Sequence, residues 1–215
     1  MSTIADITKH VESLTRHRLN RDEGIHHGPA DRTVRGVTLS WMASPDAIQA
    51  AGDNGHQLLI SHESLYYPYD VVVLAEQPAG WREWPANRQR RQMLDEYGLS
   101  FLRLHNSVDE ICIWEAFTAL LGLGEPVVSD VLVKIYEIPE CSLAALVARV
   151  KDRLHLPAVR LTAAVDMGTR VHRVGVPLGG AGLFVNVGYQ QRLVELGCDV
   201  FIAGESDSYG FRFAA

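Results

Sequence analysis

Hydrophobic and polar residues along this chain follow two periods in turn. Residues 3–14 (TIADITKHVESL) carry apolar side chains at helical spacing, whereas HQLLIS (residues 56–61) and LSFLRLH (residues 99–105) contain short apolar runs typical of strands buried on both faces. Ser44 predicts the start of a helix that has Pro45 in its first turn. The alternation of strands and helices predicts an α/β fold whose sheets are covered by helices.

The second part of the chain repeats this pattern, so we expect two similar α/β halves. Its predicted strands are SDVLVKIYEI, AVRLTAAV (residues 158–165), RVHRVGVPL and CDVFIAGE, and its predicted helices are CSLAALVARVKDRL and FVNVGYQQRLVELG. The segment GLGEPVVSD, marked by glycines and a proline, predicts the boundary between the halves. The expected domains are therefore residues 1–123 and residues 124–215.

Composition and charge argue against nucleic acid and membranes as partners of this protein. Of the 215 residues, 47% are hydrophobic and 21% are charged, and the formal net charge is −6. A nucleic-acid-binding protein usually carries a basic field, so nucleic acid is not an expected partner. The three cysteines form no C-x-x-C pair, which predicts a reducing, cytoplasmic environment. No apolar run approaches the roughly 18 residues that span a bilayer, so we expect no membrane partner.

Polar residues follow two of the predicted strands at the point where each ends. His62 and Glu63 come directly after LLIS, and His105 ends LSFLRLH, with Asp109 four residues later. In α/β sheets, ligands gather just beyond the carboxyl ends of strands, so both positions are site candidates, and the side chains of His105 and Asp109 can converge on one cation. Neighbouring side chains of a regular strand point to opposite faces. His62 and Glu63 can therefore share a site only if the strand ends at or before His62.

Each of these patterns also has a purely structural interpretation. The pair His62 and Glu63 fits surface polarity equally well. Ser107 and Glu110 match the S/T-x-x-E capping box, in which Ser107 would cap the helix and Glu110 would bond back to its start. The pair His26 and His27 lies between glycines, and this composition favours a solvated loop over a metal site.

Two further features lie in the second half. The glycine-rich turn PLGGAG, with Gly179, Gly180 and Gly182, offers backbone N–H groups that can hold a phosphate. A simple tight turn is the favoured interpretation, because no Lys-Ser/Thr pair follows. Glu205 ends the last predicted strand, where it is either a pocket residue or an acidic charge at a helix start.

Taken in order, these motifs resemble the NIF-three-like dinuclear-metal-centre family, also called GTP cyclohydrolase I type-two-like proteins. ISHES stands where that family has His-His-Pro, LHNSVD matches His-Thr-Asn-x-Asp, PLGGAG matches a Gly-Gly-x-Gly turn and IAGE matches a strand ending in Thr-Gly-Asp/Glu. RDEGIHHG occupies the place of an early Asp-Asn-x-Gly-Leu segment and departs from it. Glu63 replaces the second histidine, and the family's C-terminal His and Glu ligands have no counterpart before Ala215.

The resemblance implies a site and an assembly. His62, Glu63, His105 and Asp109 are the implied metal ligands, and Glu205 is an implied pocket residue. Two divalent ions, drawn from Zn, Fe, Mn, Co, Ni or Mg, would sit in a cleft between the halves. A small-molecule substrate such as a nucleotide is expected, as is self-association between dimer and hexamer.

Three classes of function remain open from the sequence. The first is a metal-dependent hydrolase, cyclohydrolase-like or phosphoesterase-like, that acts on a nucleotide or another phosphorylated metabolite. The second is a non-catalytic metal-binding protein, regulatory or assembly-forming, whose ions are structural or vestigial. The third is a metal-free α/β module that binds a nucleotide through PLGGAG.

Overall fold

The computed structural model of the chain describes residues 1–15, 17–67, 78–130, 132–207 and 209. The chain divides into two compact units, Met1–Ile113 and Trp114–Ala215. This division falls at Ile113, where the sequence predicted residue 123. The segment that follows Ile113 belongs to the second unit because its Leu121 packs in that unit's core, against Leu143 and Leu146.

The described residues of the first unit form a four-stranded sheet and its helices. Short 3₁₀ and π segments occupy Trp81–Glu83 and Asp109–Ile113. The regular elements, in chain order, are α1 (Ile4–Thr15), β1 (Gly24–His27), β2 (Val37–Ser40), α2 (Pro45–Asp53), β3 (Leu58–Ser61), α3 (Pro85–Glu96), β4 (Ser100–Arg103) and α4 (Asn106–Val108).

The strand order of this sheet brings two strand ends together. The order is β1-β4-β3-β2, with β2, β3 and β4 parallel and β1 antiparallel to β4. Ser61, the last residue of β3, lies in register with Arg103, the last residue of β4. The segments that follow β3 and β4 therefore leave the sheet side by side, at the edge where ligands gather in α/β proteins.

Helices cover this sheet on both faces, as its apolar strands predict. Leu58 and Leu102 pack with Ile4 of α1 on one face. Leu59 and Phe101, their neighbours along the strands, pack against α2 and α3 on the other face. This alternation explains why β3 and β4 read as continuous apolar runs in the sequence.

The second unit has the same layered plan. In its described residues the sheet order is β5-β6-β7-β8, with β7 and β8 parallel and the other pairs antiparallel. Its core lies on both sheet faces, one shared with α5 and α6 and the other with α7. The elements are α5 (Trp114–Leu121), β5 (Val128–Asp130), β6 (Val133–Ser142), α6 (Leu143–Arg153), β7 (Arg170–Pro177), α7 (Val187–Glu195) and β8 (Val200–Phe201).

Two expectations about individual elements are wrong. AVRLTAAV, predicted as a strand, forms no strand, and its apolar side chains lack the burial that strand pairing in a core would give: Leu161 is 40% exposed and Val165 is 57% exposed. RDEGIHHG, predicted as a loop, contains β1, because His27 and its neighbours pair with β4. None of the helices in the described ranges is long and apolar enough to cross a membrane.

Candidate metal centre

The chain turns directly after β3, which decides how His62 and Glu63 are placed. β3 ends at Ser61, and the Ser61 hydroxyl donates to the Glu63 carbonyl at 3.0 Å while the Glu63 amide donates to the Trp41 carbonyl at 2.8 Å. The condition for both side chains to share a site is therefore met. His62 Nδ1 lies 3.5 Å from Glu63 Oε1, which is close enough for charge attraction but long for a hydrogen bond.

Three of the predicted ligands meet at the adjacent ends of β3 and β4. Potential ligand atoms of His62, His105 and Asp109 all lie within 4.8 Å of one another. His62 Nε2 is 3.1 Å from Asp109 Oδ1, and the rings of His62 and His105 meet edge to face with centroids 4.6 Å apart. The parallel pairing of β3 and β4 produces this convergence.

A carboxylate that the sequence did not single out orients His105. Asp22 Oδ2 lies 2.9 Å from His105 Nδ1, and it also lies 3.1 Å from Nη1 of the buried Arg103. The hydrogen bond from His105 lowers the pKa of Asp22, and the charge of Arg103 adds to this effect against burial. With Nδ1 donating to Asp22, His105 keeps Nε2 as its ligand atom, the arrangement usual for metal-binding histidines.

A second acidic residue, Glu23, fixes the backbone of the turn that presents Asp109. Its Oε1 accepts hydrogen bonds from the amides of His105 (2.6 Å) and Ser107 (2.9 Å), and its Oε2 accepts one from the Ser107 hydroxyl (2.8 Å). The predicted capping box is therefore wrong. Ser107 lies inside the first turn, and Glu110 contacts His17 Nε2 at 2.9 Å.

The electrostatics around His62 favour its protonated form when no metal is bound. Burial lowers the pKa of this imidazole, but the hydrogen bond with Asp109 and the negative charges of Asp109 and Glu63 outweigh burial and raise the pKa to about 9. Trp41 stacks on the imidazole with ring centroids 4.1 Å apart and planes 11° apart. Arg103 Nε donates to the His62 carbonyl at 3.1 Å, so both the ring and the backbone of His62 are held.

The donor set fits a divalent cation. Two imidazoles and a carboxylate are ligands that Zn, Fe, Mn, Co and Ni accept. The hydrogen bond from His105 to Asp22 supplies the outer support such ligands normally have, and the excess negative charge of Asp109 and Glu63 beside His62 suits a cation. Binding of an ion at His62 would release the proton that the metal-free imidazole carries.

The second unit contains the two remaining candidates from the sequence, Glu205 and the glycine-rich turn. Glu205 follows β8 and is exposed. Its carbonyl oxygen would lie 2.1 Å from a Cβ added at Gly182, so close packing excludes a side chain there. Gly179 has a φ of +49°, which also favours glycine. Tight-turn geometry thus accounts for Gly179 and Gly182. A Cβ added at Gly180 would lie 3.8 Å from Asn186 Nδ2 and 3.9 Å from Leu183 Cδ1, which are ordinary van der Waals distances.

Sequence reasoning missed three residues around the centre: Asp22, Glu23 and Trp41. Asp22 and Glu23 lie in RDEGIHHG, and the position of this segment ahead of the other motifs could have indicated that they belong to the site. The segment occupies the place of the family's early Asp-Asn-x-Gly-Leu motif, although its residues differ from that motif. Trp41 had no local signal, because its role depends on the parallel pairing of β2 and β3.

The fold and this cluster define the class of protein: a two-unit α/β protein with a histidine–aspartate group at a strand-end edge. The profile of the Duf34/NIF3 (NGG1p interacting factor 3) family matches residues 2–212. The chain belongs to this family, a metal-binding family of uncertain function, and the resemblance found in the sequence is confirmed. Among curated proteins, none matches the chain significantly.

Solved structures with the same fold are similar over nearly the whole chain. Protein ybgI, described as of unknown function, has a TM-score of 0.77 and 18% identity, over 99% of this chain and 82% of that chain. A Bacillus cereus protein related to NIF3 has a TM-score of 0.71 and 13% identity, over 100% and 85%. HcgD from Methanocaldococcus jannaschii has a TM-score of 0.70 and 16% identity, over 99% and 82%. At these identities the likeness shows the fold.

Proposed function

We propose that this protein is a divalent-metal-dependent hydrolase that acts on a nucleotide or another phosphorylated small molecule. The observation that carries the proposal is the convergence of His62, His105 and Asp109 within 4.8 Å. Glu63, beside His62, adds a fourth donor, and we propose that the set serves two ions.

The residues around the centre would each have a separate role in a hydrolytic site. A divalent ion would act as a Lewis acid that polarises a substrate oxygen and lowers the pKa of water. Asp22 holds the His105 ring in one orientation, and Glu23 holds the turn that carries Asp109. Trp41 covers one face of His62 and keeps water from it.

The identity of the donors bears on the choice of metal. An imidazole is replaced by Glu63 in the motif that the family usually has as His-His-Pro. A carboxylate oxygen is a harder ligand than an imidazole nitrogen, so this exchange favours ions such as Mn or Mg. The added negative charge holds a divalent pair more tightly and lowers its Lewis acidity.

We also propose a reducing, cytoplasmic location and self-association between dimer and hexamer. The three cysteines, Cys112, Cys141 and Cys198, are free thiols in the structure, which fits a reducing compartment. The assembly follows from family resemblance, and light scattering of the purified chain tests it directly.

A second candidate is a non-catalytic protein whose metal site is structural or vestigial. The contact of 3.1 Å between His62 Nε2 and Asp109 Oδ1 favours it. A protonated His62 and an ionised Asp109 satisfy each other there without a cation.

Metal content and hydrolysis together separate the two candidates. After exhaustive dialysis, the wild-type chain should retain metal by mass spectrometry, and His105→Ala should retain much less. His10→Ala, at an exposed position on α1, is the matched control and should behave as wild type. Wild-type metal below about 0.1 ion per chain, with stability unaffected by chelator, contradicts both metal candidates. Bound metal with equal rates for wild type and His105→Ala on a panel of nucleotides and phosphoesters contradicts the hydrolase.

A further inference from the structure

A pocket of about 310 Å³ adjoins the candidate metal centre in the first unit. Two of its lining residues belong to the surroundings of the centre, since Trp41 stacks on His62 and Glu63 lies beside the same imidazole. The lining includes aromatic, apolar and charged side chains: Trp41, Met42, Glu63, Tyr66, Tyr67 and Arg90.

The aromatic side chains give this pocket flat, accessible surfaces. Trp41 uses one ring face for His62, yet 54% of the residue stays exposed. Tyr67 is 66% exposed, whereas Tyr66 is buried and packs edge to face with Trp81. The exposed rings of Trp41, which is held by its stack on His62, and of Tyr67 suit stacking with a planar ring of a ligand.

Arg90 supplies a positive charge that the described part of the chain does not neutralise. Nη1 donates to the Leu65 carbonyl at 2.9 Å, and no carboxylate in the described ranges pairs with this half-buried guanidinium. Its neighbour Arg91 is different, because its Nη2 donates to both carboxylate oxygens of Glu83, at 2.9 and 3.0 Å. Burial alone lowers the pKa of Arg90. A planar guanidinium in such a position is suited to bind a phosphate or carboxylate.

The pocket is held in shape before any ligand arrives. The buried side chain of Asn87 in α3 accepts a hydrogen bond from the Tyr67 amide at 2.9 Å and donates one to the Trp81 carbonyl at 2.8 Å. With Arg90, it ties the segment after β3 to α3. A preorganised wall reduces the entropy that binding must overcome.

We propose that this pocket is a binding subsite for a planar aromatic ring that carries an anionic group, with the ring on Trp41 and Tyr67 and the anion on Arg90. A nucleoside monophosphate has this chemistry. The inference rests on the proposed function, because it assigns the substrate class of the same metal site. It extends that function by naming residues outside the ligand set that select the substrate.

Calorimetry on the full metal-free chain tests the subsite without requiring catalysis. The probes are AMP and GMP, which have ring and anion, adenosine, which has the ring alone, and ribose 5-phosphate, which has the anion alone. At least one nucleotide should bind about tenfold or more tightly than either half-molecule. Arg90→Met should weaken that nucleotide by about 10–100-fold and leave adenosine unchanged. Trp41→Leu should weaken nucleotide and adenosine alike.

Two control variants test whether the effects are specific to the charge at Arg90. Arg88→Met, on an exposed face of the same helix, should bind as wild type. Arg90→Lys keeps the charge and should retain part of the nucleotide affinity, and thermal unfolding establishes that each variant is folded. A wild-type chain that binds none of the four probes overturns the inference. So does a folded Arg90→Met variant with wild-type nucleotide affinity, or a Trp41→Leu variant that changes only the oligomeric state.

The outcomes also separate this inference from the proposed hydrolase. Nucleotide binding that depends on Arg90, with no metal-dependent hydrolysis, contradicts the hydrolase and supports the subsite. Metal-dependent hydrolysis whose KM for the nucleotide is the same in wild type and Arg90→Met supports the hydrolase and contradicts the subsite.

Discussion

The carboxylate of Glu23 lies 2.9 Å from the amide nitrogen of Ser107 and 2.8 Å from its hydroxyl oxygen, although 84 residues separate the two along the chain. Both residues are buried. The same carboxylate accepts the His105 amide, so one side chain holds the backbone between the two predicted ligands His105 and Asp109. It satisfies N–H groups at a helix start, which is the task of a local capping residue in most helices.

Glu23→Gln should destabilise the protein by about 2–4 kcal/mol, because it removes a buried charged acceptor of three hydrogen bonds at this turn. Urea denaturation measures the change. Glu110→Gln is the matched control, since its partner His17 and Glu110 itself are both exposed, and it should cost no more than about 1 kcal/mol. Equal effects of the two substitutions would show that Glu23 does not hold the turn.

The contact between Glu23 and Ser107 is a part of the site that the sequence alone does not predict. The convergence of His105 and Asp109 could be predicted because strand ends and short spacings are local features. The capping role of Glu23 could not be predicted, because local patterns compare residues a few positions apart and do not include a buried carboxylate from the distant segment before β1. Ser107 and Glu110 formed a valid local pattern that a stronger, distant acceptor displaced.

The fold follows a similar division. β3 and β4 could be predicted because their apolar runs serve two covered faces, a property of each strand alone. AVRLTAAV has a β-propensity comparable to that of β3 and β4. A segment becomes a strand only where it can hydrogen-bond to a sheet edge, however, and AVRLTAAV forms no strand and leaves its apolar residues largely exposed. β1 was missed for the converse reason, since β4 pairs with a segment rich in polar residues and glycine.

Asp22→Asn should weaken metal binding by about 10–100-fold, because the amide cannot hold the His105 ring as a carboxylate does. The asparagine oxygen still accepts from Arg103, so the variant should remain folded. Competition with a fluorescent chelator measures the affinity, and circular dichroism checks the fold. Asp31→Asn, at an exposed position, is the control. Unchanged affinity in folded Asp22→Asn would remove Asp22 from the site.

Asp109→Asn should lose metal while the helix start survives, because Glu23, and not Asp109, caps the turn. The expected result is low metal content by mass spectrometry with wild-type circular dichroism, together with a lower thermal stability from loss of the ion pair between Asp109 and the protonated His62. Glu115→Gln, a neighbouring acidic position with an exposed residue, provides the comparison. Loss of the fold in Asp109→Asn would assign Asp109 a structural role instead of a ligand role.

The metal-free protein should lose a stabilising contribution from His62 as the pH rises. The folded state raises the pKa of His62 from its ordinary value of 6.5 to about 9, so the protonated ring favours folding. This contribution is complete below pH 6.5 and disappears as the pH passes through 9. In chelator, the stability difference between wild type and His62→Gln should therefore shrink between pH 6 and pH 10 in urea denaturation. A difference that stays constant over this range would mean that His62 does not carry the proton.

Gly182→Ala should destabilise the second unit by about 2 kcal/mol or more, because the added Cβ would lie 2.1 Å from the Glu205 carbonyl oxygen and 2.8 Å from the Ala203 Cβ. Both obstacles are close to the backbone, so relief requires movement of the segment after β8. Gly188→Ala, whose added Cβ meets no atom of the described residues within 4 Å, should be neutral or stabilising by up to about 1 kcal/mol.

Chemical denaturation of the two variants measures this contrast, and phosphate binding measured on the same samples separates packing from recognition. Gly180→Ala adds a Cβ whose nearest neighbour among the described residues, Asn186 Nδ2, is 3.8 Å away, so it should leave stability unchanged while it alters the binding of any phosphate held by the turn. If Gly182→Ala proves as stable as Gly188→Ala, close packing against Glu205 is not the reason for glycine at this position. Phosphate affinity that falls in Gly180→Ala would then favour an anion-binding role for the turn.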